Sequence, residues 1–187
     1  MHTNTRSFVP GGQFFFTVRL QDRNATLLTD EVVKLRAAMR VTKARAPFAI
    51  DAIVVLPSVI HTIWTLPPQD ADYAKRWGLV KSLFSRGVSG PEQRAHSPEK
   101  RRDKGIWQRR FWEHKLRDLS DLDAHIQLIH SAPVQAGLCA KPEHWPYSSV
   151  HRHFAPDPVP GHFSPLRTPS QIQQHQHQTL VAPLGRA

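Results

Sequence analysis

FAIDAIVVLPSVIHTIWTLPP, Phe48 to Pro68, decides the fold. Apolar and β-branched residues run almost unbroken from Phe48 to Leu56. Pro57 and Ser58 mark a turn, and Val59 to Leu66 repeats the strand composition. Pro67-Pro68 ends the second run, since proline has no N–H for a ladder. Two such runs joined by a short turn predict an antiparallel hairpin. Midway along its second strand sits His61. Side chains two apart share a strand face, so the neighbour of His61 on that face is Val59, which ligates nothing.

On either side the periodicity changes. GQFFFTVRL, residues 12–20, predicts a strand ahead of the hairpin. From Thr26 to Arg45, Leu28, Val32, Leu35 and Met39 recur at helical spacing, with Lys34, Arg36, Arg40 and Lys43 opposite. After the hairpin, residues 70–87 predict a second amphipathic helix capped by Asp70. Residues 87–105 are rich in Gly, Ser, Pro and charge and predict a mobile loop. GIWQRRFWEHKLRD, residues 105–118, predicts a strand with Trp107, Arg109 and Phe111 on one side and Gln108, Arg110 and Trp112 on the other. Residues 120–138 predict a third helix, capped by Ser120 and Asp121 and kinked or ended by Pro133. The order strand, helix, strand, strand, helix, strand, helix predicts an α+β fold, a ferredoxin-like antiparallel sheet with helices packed on it. The domain runs over 13–153, after a flexible start at 1–12. The Pro-, Gln- and His-rich stretch 154–187 predicts a disordered tail.

Charge points to the partner. The 187 residues carry 25 Lys+Arg against 15 Asp+Glu, a net charge of +10. Such a balance favours a polyanion, most simply nucleic acid. Between Arg94 and Arg117 nine basic residues face three acids, with Trp107, Phe111 and Trp112 among them. Guanidinium groups take phosphates and aromatic rings stack on unpaired bases. The candidate DNA contacts are Arg19, Lys81, Arg86, Arg109, Arg110, Lys115 and Arg117. One cysteine, Cys139, excludes an intrachain disulfide and a cysteine zinc site. No apolar run reaches the ~20 residues of a membrane span, and the first residues lack a signal-peptide core. The chain is expected to be cytoplasmic and nucleoid-associated, with no membrane partner. Monomer and homodimer both remain open.

The segments PGGQFFFTVRLQDR, FAIDAIVVLPSVIHTIWTLP, DADYAKRWGLVKSLFSR, GIWQRRFWEHKLRD and HIQLIHSAPVQAGL, with PEHWPYSSVHRH after them, resemble in order the REP-associated tyrosine transposases. That family belongs to the wider IS200-like, single-tyrosine HUH transposases. The resemblance covers roughly Phe8 to His153. It implies a ferredoxin-like domain acting on single-stranded DNA folded into hairpins. It also implies Mg²⁺ or Mn²⁺ held by a His-hydrophobe-His strand motif, a nucleophilic helix tyrosine, and a polar ligand one turn later. The metal would polarise the scissile phosphate for a phenol of high pKa.

Mapped onto this chain, the strand motif reads Pro57-Ser58-Val59-Ile60-His61 and the helix motif reads Leu128-Ile129-His130-Ser131-Ala132-Pro133-Val134. His61 stands where the second ligand histidine is expected, and Val59 replaces the first. Leu128 replaces the tyrosine and Ala132 the asparagine. The implied reading is a transposase-family protein that binds single-stranded or hairpin DNA without catalysis, a pseudoenzyme with no cofactor. Two other readings stand beside it. One is an active nicking and joining enzyme using another nucleophile, Tyr73 or Tyr147 being the only tyrosines. The other is a decayed gene product without function. His125 and His130 lie on or beside the altered helix, and two histidines there suit a softer metal such as Zn²⁺. His175 and His177 in the tail, with His151 and His153, offer an adventitious metal site.

Overall fold

The computed structural model describes residues 9–88 and 105–153. The expectations for most of the 87–105 loop, for residues 1–8 and for 154–187, His175 and His177 included, lie outside them. Four strands, β1 (Gln13–Arg19), β2 (Ala49–Val55), β3 (Val59–Thr65) and β4 (Trp112–Lys115), make one antiparallel sheet in the order β2-β3-β1-β4. The helices are α1 (Leu27–Asp30), α2 (Val32–Arg45), α3 (Tyr73–Val88) and α4 (Leu119–Gln135). Two 3-10 turns, Pro142–His144 and Ser149–His153, follow. The ferredoxin-like expectation holds, and so does the β2-β3 hairpin.

Each sheet face has its own core, because alternate side chains point to opposite sides. Phe14, Phe16, Val18, Ile60 and Trp64 pack with Leu35 and Met39 of α2 and with Tyr73, Trp77, Val80 and Phe84 of α3. Trp64 and Trp77 stack at 4.3 Å. Arg76 is buried at the junction of α2 and α3. It donates to the carbonyls of Ala46 and Pro47 and to the Asp70 carboxylate. Full pairing is what makes a buried guanidinium tolerable. The second face carries Phe15, Ala52, Val54, Val59 and Ile63 under Ile129 and Ala132 of α4.

Several local expectations are corrected. The first helix breaks at Glu31, whose φ of −110° and ψ of 28° leave the helical basin. Asp72, not Asp70, accepts from the backbone of α3, at the Lys75 N–H. Asp118 caps α4 by accepting from the Asp121 N–H at 2.8 Å. Asp121 accepts in turn from the Arg117 N–H. Pro133 lies inside α4, which runs only two residues further, and Gly137 at φ 68° closes the end. The last predicted strand shrinks to four residues. Thr17 pairs with Trp112, yet Leu20 bridges Trp107, so three steps along β1 match five along its partner. Two residues are extruded, as in a β-bulge. Arg109 and Arg110 are both exposed in that stretch, so the strict alternation of sides fails there.

Candidate functional site

The α4 face of the sheet presents its side chains in rows. One row reads Val54, His61, Thr17, Trp112 across the four strands. The next reads Ala52, Ile63, Phe15, His114. His61 shares a 2.9 Å hydrogen bond with Thr17 through Nδ1, and the Phe15 ring stacks against it at 5.8 Å. Burial, aided by the nearby Arg19 charge, pulls the His61 pKa down to about 4, so the imidazole is neutral at pH 7. Val59, 8% exposed, and Ala132, 7% exposed, join the same apolar cluster. Leu128 is 40% exposed on α4.

The predicted DNA contacts separate into groups. Arg109, Arg110, Lys115 and Arg117 are exposed around β4. Trp112 lies on the same strand, 54% exposed, with its ring stacked on His114 at 5.8 Å and 9°. Arg19 is half-buried beside His61. Arg86 is exposed on α3, across the sheet. Lys81 is held by protein. Its Nζ donates to the Gln108 carbonyl at 2.9 Å and lies 5.7 and 5.5 Å from the Trp107 and Phe111 ring centres. Burial lowers its pKa to about 8.

Three polar side chains meet beside this face without a sequence signal. His114 Nε2 lies 2.9 Å from Asp121 Oδ2, and His125 Nδ1 lies 3.1 Å from Oδ1. The His114 hydrogen bond is the chief reason that the Asp121 carboxyl falls to about 2. The expected pairing of His125 with His130 does not form, since His130 turns toward Ser149 at 3.2 Å. Its actual companion, His114, comes from β4. Only the tertiary pairing of β4 with α4 brings them together.

An antiparallel sheet of this order, with α2 and α3 on one face and the motif-bearing α4 on the other, has the fold of a single-tyrosine transposase. No protein-family model matches the chain. A Haemophilus influenzae protein assigned to the REP-associated tyrosine transposases is 42% identical over 153 residues, covering 81% of this chain and 87% of that one. The REP-associated tyrosine transposase of Escherichia coli K12 is 39% identical over 150 residues, covering 80% and 83%. A solved REP-associated tyrosine transposase bound to a REP hairpin is 35% identical, with a TM-score of 0.73 over 89% of this chain and 95% of that one. The chain belongs to the REP-associated tyrosine transposases. No described helix is long and apolar enough to cross a membrane.

Proposed function

We propose that this chain binds single-stranded DNA folded into a hairpin and does not cut or rejoin it. The observation that carries the binding is the edge of the sheet at β4. There the exposed Trp112 shares the edge strand and its flanks with the exposed cations Arg109, Arg110, Lys115 and Arg117, Lys115 being on the opposite sheet face from the ring. Phosphates are drawn by the cations at any sequence, and an unpaired base stacks on the ring. The hairpin bound by the similar solved transposase supports the same class of ligand here.

The residues that argue against chemistry are those of the resembled motifs. A hard cation such as Mg²⁺ takes oxygen ligands and keeps much of its water. One imidazole, already tied to Thr17, beside the apolar Val59 and Ala132 does not suit it. Leu128 has no nucleophilic atom. Tyr73 is 2% exposed in the core on the other sheet face and donates to Glu113 at 3.0 Å. Tyr147 is packed against Trp145, at 5.6 Å between ring centres. Neither position favours attack on a phosphodiester held at the α4 face.

The binding is tested by fluorescence anisotropy on labelled hairpin DNA with a single-stranded flank. Arg109→Gln/Arg110→Gln is compared with Arg36→Gln/Arg40→Gln, whose exposed arginines lie on α2 across the sheet. Selective loss in the first variant is expected. Equal loss in both, or none in either, contradicts the assignment.

A further inference from the structure

The trio on β4 and α4 has the composition and spacing of a metal centre. One nitrogen of His114, one of His125 and one carboxylate oxygen of Asp121 all lie within 4.8 Å of one another. It is the one such group of three or more among the described residues, and His61 is not in it. We propose that His114, Asp121 and His125 bind Zn²⁺, or a divalent ion of the same borderline class, and clamp the edge strand β4 to α4.

The donor set selects the ion. Two imidazoles and one carboxylate suit zinc and its neighbours, whereas magnesium and calcium call for oxygen. The spacing fits as well. Ligands around a tetrahedral zinc at about 2.0–2.2 Å stand roughly 3.3 Å apart. The measured separations are 2.9 Å for His114 Nε2 to Oδ2, 3.2 Å for Nε2 to Oδ1 and 3.1 Å for His125 Nδ1 to Oδ1. Both imidazoles thus stand near ligand spacing from the carboxylate, and the ion takes the place of the protons in these contacts once the His125 ring turns Nδ1 from the Asp121 carbonyl. Metal binding displaces protons from its ligands in this way.

Local structure already holds the three groups. Asp121 and His125 stand four apart on α4 and therefore share a helix face. Antiparallel pairing sets His114 opposite Phe15 on the same sheet face as the helix. The His114 and His125 rings stack at 4.9 Å and 18°. Trp112 stacks on His114 at 5.8 Å, and Phe15 flanks His125 at 4.7 Å. Packed rings lose little freedom when the ion arrives. His125 Nδ1 also donates to the Asp121 carbonyl oxygen at 2.8 Å, a hydrogen bond that metal binding at this nitrogen replaces. The remaining contacts of the carboxylate, the Arg117 N–H at 3.1 Å and Nε at 3.4 Å, fall on Oδ2 and leave Oδ1 for the metal.

The test uses the full chain after chelation. Co²⁺ is titrated in and its visible ligand-field spectrum followed, then displaced with Zn²⁺. Thermal melting is recorded with and without Zn²⁺. One equivalent is expected, with a melting temperature that climbs as Zn²⁺ is raised above its Kd. Asp121→Asn and His125→Gln should each weaken binding by more than the roughly 10–100-fold lost with an outer-sphere partner. His61→Ala and His175→Gln/His177→Gln should bind as the parent does. Wild-type affinity in folded His125→Gln overturns the proposal, as does loss of binding in the tail variant. A parent chain whose melting ignores Zn²⁺ overturns it too, even if the variants fail to fold.

Discussion

Replacing Arg109 and Arg110 with glutamine removes two of the four exposed cations on and beside β4. Both side chains are exposed and lie before β4, so stability should stay within about 0.5 kcal/mol of the parent. Binding should change in a defined way. Each phosphate neutralised on single-stranded DNA contributes a slope of about −0.7 to log K against log salt. If Arg109, Arg110, Lys115 and Arg117 each take one phosphate, the parent slope is about −2.8 and that of the variant about −1.4. A rise from about 50 to about 200 mM salt then costs the parent roughly 50-fold in affinity and the variant roughly 7-fold. Anisotropy of a labelled hairpin with a single-stranded flank, read over a salt series, measures both slopes. Equal slopes for parent and variant would refute the assignment, because the arginines would then meet no phosphate.

Further outcomes follow from the same geometry. Trp112→Ala should weaken binding to flanked hairpins by about 5- to 150-fold, the worth of one stacked base, while duplex binding hardly changes; anisotropy with matched ligands reads the difference. His61 has a folded pKa of about 4 against 6.5. The unfolded chain therefore binds more protons between those values, and stability should fall as pH drops from about 6.5 toward 4. Urea melts across that window should show the His61 share of the loss vanish in His61→Phe. Val59→His places an imidazole at a site 8% exposed among apolar neighbours. It should cost about 1–3 kcal/mol, read as a lowered urea midpoint with an unchanged slope.

The hairpin and the α+β order were legible because strand and helix periodicities are local. Phe48–Pro68 carries its own turn and its own stop. The reading of Val59, Leu128 and Ala132 as replaced motif positions rests on residue identity and the family resemblance alone. What pairing decides was not. The bulge that extrudes Arg109 and Arg110 exists because Trp107 is drawn to Leu20 while Trp112 registers with Thr17. Lys81 reads as a surface cation in its helix, yet Trp107 and Phe111 fold over it from a segment almost thirty residues away. The trio of His114, Asp121 and His125 spans a strand and a helix. Helical spacing sets Asp121 beside His125, but nothing local marks the pair as a site, and His114 joins it only through the sheet.

The central claim, binding without strand cleavage, is tested most directly by a single incubation. The full chain is mixed with end-labelled hairpin DNA and Mn²⁺, then resolved on native and on denaturing gels. A retarded native band, with intact free DNA in the denaturing lane, is the expected result. Nicked DNA, or label joined covalently to protein, would contradict the claim and turn attention to Tyr73 and Tyr147.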